Sequence, residues 1–157
     1  MESTTEIMIA AHPDAVFNLA ATVEDWPRIL PHYRWVRRLT GAGPRRIVEM
    51  AAWRDFYPVR WKAVVEPVPA ERKLRFTHVG GPVRGMEVEW RITPVEGGSH
   101  VAIHHRLDPR LPVIGRLFAE YIANRLFIQN IAAKTLLCMK QTAESGAAGV
   151  SKAPGGQ

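Results

Sequence analysis

Two histidines fall where they can take up or release a proton near neutral pH without a cofactor. His78 closes the run Leu74, Phe76, His78, which alternates with Lys73, Arg75 and Thr77. His105 lies within Val101, Ile103, His105, Leu107, which alternates with His100, His104 and Arg106. A period of two sends each apolar set to one face of a strand, so both histidines are expected to face inward and His100 and His104 to be solvated. For each inward histidine two readings stand: a general base in a cavity, or a buried imidazole hydrogen-bonded to its neighbours. Arg125 falls in the apolar sector of a long C-terminal helix. It can hold an enolate, phenolate or carboxylate, or pair at the helix edge with Glu120 or Glu144. Tyr121, on the same stripe, either closes a cavity or is a buried tyrosine with one partner. Trp26, Tyr33, Trp61 and Trp90 offer flat aromatic walls; plain core packing is the competing reading, favoured for Trp90.

These residues have to be placed by a single domain. The chain has 157 residues, 46% hydrophobic and 23% charged. That excludes wholesale disorder and supports one core. One cysteine, Cys138, excludes a disulfide framework and any Cys/His zinc spacing. There is no GxSxG, HExxH, P-loop or dinucleotide fingerprint, so neither a metal nor a cofactor is expected. No apolar run reaches the ~18–20 residues that cross a bilayer. The first residues lack a secretory pattern, and a cytoplasmic location is expected. The net charge of +6 is spread over scattered arginines, which argues against nucleic acid.

Residues 6–11 read as a short strand. Pro13 opens a helix, and Asp25-Trp26-Pro27 opens a second that ends near Pro31. Six strands follow, at about 33–40, 46–54, 58–67, 72–79, 84–94 and 99–107, separated by Gly and Pro turns. Their short connections imply antiparallel pairing. Val59, Trp61, Ala63 and Val65 form one inward face, as do Met86, Val88, Trp90 and Ile92. After Pro109 and Pro112 a helix over about 113–143 carries a broad apolar stripe that includes Leu117, Tyr121, Thr135, Leu136 and Met139, widened by Ala133 and Leu137. Residues 1–144 form one domain, and 145–157 read as a disordered tail. One apolar sheet face needs a cover, and the helix is the only element large enough.

The segments IMIAAHPDAVFNLAATVEDWPRILPHY at 7–33 and GGPVRGMEVEWRITPVEGGSHV at 80–101, with the terminal helix, resemble the START-like (Bet v 1-like, SRPBCC) superfamily. The similarity is closest to its polyketide cyclase/dehydrase branch, which includes aromatase/cyclases. The Asp25-Trp26-Pro27 turn and the Met86-x-Val88-x-Trp90 strand carry it, and it covers about 5–143. The resemblance implies an α+β helix-grip fold: a curved seven-stranded antiparallel sheet wrapped around the C-terminal helix, with two short helices after strand 1. It implies that Trp26, Tyr33, Trp61, Met86 and Trp90 line a pocket, that His105 takes a polar pocket position, and that His78 stands where the family has a pocket arginine. The family's principal catalytic arginine, at the end of the strand that carries Trp61, is here replaced by Pro67, after Glu66.

Two functions are therefore open. In the first, a cyclase/aromatase folds a poly-β-ketone by enclosure. His105 or His78 takes a proton from an acidic methylene, Arg125 or Tyr33 stabilises the oxyanion, and Tyr121 completes the substrate pocket. The positive charge suits docking of an acidic acyl carrier protein, free substrate being the alternative. In the second, the cavity holds a quinone, isoprenoid or lipid without turning it over. Either state, monomer or homodimer, is compatible with the sequence.

Overall fold

In the computed structural model, residues 2–81, 84–107, 117, 121 and 130–152 are described. Strand β1 spans Glu2–Ile9, helix α1 Pro13–Ala21 and helix α2 Trp26–Ile29, with a 3-10 turn at Val23–Asp25 between the helices. Strands β2 (Tyr33–Thr40), β3 (Arg46–Arg54), β4 (Tyr57–Val68), β5 (Lys73–Gly80), β6 (Glu87–Val95) and β7 (Gly98–Arg106) follow. The last element is helix α3, Ala133–Lys152, entered through a π turn at 130–132. The seven strands form one sheet in the order β1-β7-β6-β5-β4-β3-β2, with every pair antiparallel.

The alternation in the sequence sets the inner face. Val59, Trp61, Ala63 and Val65 of β4 are buried, as are Leu74, Phe76 and His78 of β5, and the matching sets of β6 and β7. Pro13 occupies the first turn of α1, where its missing N–H costs nothing, and the His12 imidazole accepts the Asp14 N–H at 3.1 Å. Val16, Phe17 and Ala20 turn α1 into the core.

Helix α3 is fastened near its start and again around its middle. Near its start, Thr135 contacts His32, and Lys134 pairs with Asp55 in the β3–β4 turn at 3.2 Å. Further along, Lys140 Nζ donates to the Met8 carbonyl at 2.9 Å, and the Ala10 N–H donates to Glu144 at 3.0 Å. The helix therefore bridges from the β3–β4 turn to β1. Its stripe Ile131, Ala132, Thr135, Leu136 and Met139 is buried on the sheet.

Four expectations need correction. The first strand runs from Glu2 to Ile9, not over 6–11. Its polar residues are accommodated because it is an edge strand whose outward side chains meet polar partners on β7: Thr4 and Glu2 contact His104, and Glu6 contacts His100. Leu117 and Tyr121 are each 60% exposed rather than part of the buried stripe. A π turn at 130–132 interrupts the single helical period expected over 113–143. Ala133 and Leu137, expected to widen the stripe, are exposed as well. Residues 145–152, read as a disordered tail from their Ala, Gly and Ser content, continue α3; alanine is the strongest helix former and extends a helix already nucleated. The expected helix start near 113 lies outside the described residues.

Gly98 opens β7 where β1 ends. A Cβ there would collide with the Ile9 carbonyl oxygen and crowd the Ala10 backbone. Gly98→Ala is expected to cost about 2–4 kcal/mol, because only backbone could move aside. Chemical denaturation measures it, and a loss below about 0.5 kcal/mol, the range of an ordinary surface substitution, would contradict this packing.

Candidate functional site

Between the inner face of the sheet and α3 lies a cavity of ≈ 50 Å³. Its walls are aromatic. Trp26, delivered by α2, stands at the centre, with ring centroids 5.2 Å from Tyr33, 5.8 Å from Phe76 and 5.7 Å from Trp90. Tyr33 in turn meets Trp61 edge-on at 6.0 Å, and Trp61 stacks parallel to the His78 ring at 6.0 Å. Tilted and edge contacts of this kind suit ring quadrupoles and leave faces available to a flat guest. Met50 and Met86 complete the sheet side, and Ile131, Ala132 and Thr135 the helix side.

Seven of the residues expected to form the site line this one cavity: Trp26, Tyr33, Trp61, His78, Met86, Trp90 and His105. The two histidines reach it from β5 and β7, with β6 between them. Their strands bring them there by register: Phe76 opposes Val88, and Val88 opposes His105. Tyr121 is exposed and is absent from the described lining residues. Arg125 lies outside the described residues. Pro67 sits at the end of β4, half-buried and away from the lining, so no cation stands there.

No described lining residue carries a formal charge at neutral pH. Burial pushes His78 down to about 3, with His105 nearby adding to the effect. Burial likewise pushes His105 down to about 4, with a smaller contribution from His104. Burial raises the Tyr33 phenol well above its usual value, partly offset by its hydrogen bond with Thr135. At pH 7 the cavity therefore presents neutral imidazoles and a neutral phenol, each able to give and accept one hydrogen bond. Trp26 Nε1 and His105 Nδ1 are buried with no hydrogen-bond partner among the described residues. An indole N–H can only donate. A guest that places an oxygen against it satisfies a group that is otherwise costly to bury.

Sequence reasoning missed His32. It is buried, its Nε2 lies 2.9 Å from Thr135 Oγ1, and its ring meets Tyr33 edge-on at 4.9 Å. Thr135 donates to the Ile131 carbonyl at 2.7 Å. Burial foremost, then the Lys134 charge, lowers His32 to about 4. His32 precedes β2 on a turn, where alternation has no face to assign; its place between Pro31 and Tyr33 was the only available signal.

A family model described as "Polyketide cyclase / dehydrase and lipid transport" matches residues 1–144. The granaticin polyketide synthase bifunctional cyclase/dehydratase of Streptomyces violaceoruber is 28% identical over 103 residues, which are 64% of this chain and 32% of that protein. The chain thus spans about a third of the length of that curated relative. Among solved structures, the Zhui aromatase/cyclase from Streptomyces sp. R1128 superposes with a TM-score of 0.75 at 18% identity, covering 92% of this chain and 93% of that one. A START superfamily protein from Mycobacterium smegmatis gives 0.70 at 14% identity, covering 92% and 97%. At these identities the structural likeness speaks for the fold, a helix-grip sheet of the START/Bet v 1 kind.

The depressed histidines fix a direction for acid stability. Above about pH 6.5 they are neutral in both folded and unfolded chains. As pH falls below that, the unfolded chain binds protons that the folded chain refuses until pH approaches 4 for His32 and His105 and 3 for His78. Unfolding is favoured accordingly, by roughly 1.4 kcal/mol per histidine for each pH unit in that window. Denaturant titrations from pH 7.5 down to 4.5 should show a steep fall in stability, flattened in His105→Gln. An equal slope in the two proteins would contradict the burial of a neutral His105.

Proposed function

The chain belongs to the polyketide cyclase/dehydrase and lipid transport family, and we propose that it acts as a cyclase of the aromatase type, steering aldol closure and dehydration of a poly-β-ketone or similar aromatic precursor. The observation that carries this reading is the unpartnered pair, Trp26 Nε1 and His105 Nδ1, in an otherwise aromatic and uncharged cavity. Such a box suits a flat apolar guest bearing oxygens along its edge. A cyclising polyketide is a guest of that kind at every stage.

The chemistry divides among these groups. A neutral imidazole, His105 or His78, accepts a proton from a methylene flanked by two carbonyls. Desolvation makes an isolated imidazolium unfavourable here. The step therefore gains from the enolate that forms beside it, since opposite charges in an apolar site stabilise each other strongly. The enolate carbon attacks a second carbonyl, a C–C bond forms, and the new alkoxide takes the proton back. Loss of an α-proton and hydroxide as water then leaves the unsaturated ring. Tyr33, held as a neutral phenol, and Arg125 are the groups assigned to the oxyanion, and Trp26 orients a carbonyl through its N–H. Enclosure supplies much of the rate by holding the reacting carbons together.

The ≈ 50 Å³ cavity has room for a few waters, whereas ligand pockets are commonly several times larger. Binding therefore requires the walls to move. Met50 and Met86 are the unbranched, adaptable side chains able to do so. An acidic acyl carrier protein suits the +6 charge as the source of the chain.

Pro67 favours a second reading. With no guanidinium at the end of β4 and no charge on the described lining, the cavity also suits a quinone, isoprenoid or lipid carried without chemistry. One pair of variants separates the two. Under the first reading His105→Ala and His78→Ala should each lower turnover of a poly-β-ketone substrate about 100-fold or more, the usual worth of a proton-transfer group, with affinity changed only a few-fold. Unchanged turnover, or parallel loss of binding and turnover in both variants, would overturn it.

A further inference from the structure

The β3–β4 hairpin carries a feature that the cavity does not use. Its two-residue turn, Asp55-Phe56, leaves the Phe56 side chain 78% exposed, and neighbouring Tyr57 is 56% exposed, their rings 4.7 Å apart. Trp53, one step back along β3, is 39% exposed. Behind them, on β2, the guanidinium of Arg34 lies 4.7 Å from the ring centroids of both Trp35 and Trp53, and that of Arg37 lies 4.6 Å over Trp35. Arg60 stands at the same level, opposite Ala51. At ~3.3 Å per residue, Arg34 and Arg60 lie roughly 13 Å behind Phe56, whereas Arg37, opposite Glu49 and 4.0 Å from its carboxylate, lies roughly 23 Å behind it. Among the described residues neither Arg34 nor Arg60 has a carboxylate partner, and Asp55 at the turn is itself matched by Lys134 and Arg54.

We infer that this hairpin docks on an anionic lipid surface, Phe56 and Tyr57 entering the acyl–headgroup boundary while Arg34 and Arg60 meet lipid phosphates. Order along the hairpin is the argument. Bare apolar ring, then rings with a polar handle, then guanidiniums is the sequence of environments met on leaving a bilayer. The depth of the aromatic tip matches the ~5–10 Å to which interfacial apolar groups sink. Stacking holds the Arg34 fork in place with its N–H edges open, as phosphate recognition requires. A convex apolar tip suits a soft acyl layer, whereas a folded partner would have to offer a matching hollow. The tip is also tied to the cavity: Lys134, its ion-pair partner, is flanked in α3 by the lining residue Thr135. Docking would thus bring one end of the cavity to the layer in which apolar molecules dissolve. The inference is independent of whether the cavity turns its ligand over.

Vesicle flotation of the full chain tests it, with phosphatidylcholine alone and with about a third phosphatidylglycerol added, the anionic fraction setting the surface charge. Binding is expected only to the phosphatidylglycerol vesicles and is expected to weaken in high salt. Phe56→Ser/Tyr57→Ser and Arg34→Gln/Arg60→Gln should each weaken it at least tenfold while leaving the melting temperature within a few degrees; these side chains are exposed. Trp53 emission should shift to the blue on binding. No binding to the anionic vesicles would overturn the inference. So would binding undiminished in Phe56→Ser/Tyr57→Ser, which would reduce it to unspecific attraction by net charge, or binding only to an acidic protein and not to vesicles.

Discussion

The C-terminal helix, together with α1 and α2, has to cover the apolar inner face of a seven-stranded curved sheet, and these elements leave part of the enclosed space unfilled. Every feature of the site depends on that misfit. Helix α3 is pinned to β1 through Lys140 and Glu144 and to the other end of the sheet through Lys134 and Thr135. Held at these two places, the helix spans the concavity as a lid. The remaining gap is taken up by large rings from α2, β2, β4, β5 and β6, which pack at angles rather than in close stacks. A cavity follows from geometry before any residue in it is chosen for chemistry.

Enclosure then dictates the electrostatics. Imidazoles placed in such a box lose their hydration and remain neutral. A phenol placed there stays protonated. The site is consequently a set of weakly polar donors and acceptors in a low-dielectric pocket, not a charged machine. Groups of this kind discriminate by where a ligand's oxygens fall, because leaving Trp26 Nε1 or His105 Nδ1 unmatched is costly. Pro67, at the end of β4, adds no charge to the site.

Much of this was legible in the sequence because period-two alternation reports the inward face directly. His78 and His105 were placed by it, as were Trp61, Met86 and Trp90. The resemblance to aromatase/cyclases added Trp26 and Tyr33, which alternation alone could not assign. Where no regular period operates, the reading failed. His32 sits on a turn, and its partner Thr135 lies on the helix stripe but drew no attention as a polar group. Tyr121 was assigned by extending one helical period across a π turn that composition does not announce. The early start of β1 was hidden because polar residues on an edge strand look like a polar terminus. Arg34, Trp35 and Trp53 lie on β2 and the end of β3, where bulged register at 33/35 and 38/40 blurs the alternation.

The central claim is that the aromatic cavity receives an oxygen-bearing flat ligand at Trp26 and His105. It is tested most directly by following the indole N–H resonances in a nitrogen–proton correlation spectrum during titration with a hydroxylated anthraquinone, with naphthalene as the oxygen-free control. The Trp26 N–H is predicted to move to lower field with the anthraquinone and much less with naphthalene, while the surface indoles of Trp35 and Trp53 stay in place. A Trp26 resonance that does not move while Trp35 or Trp53 does would contradict the assignment of the site.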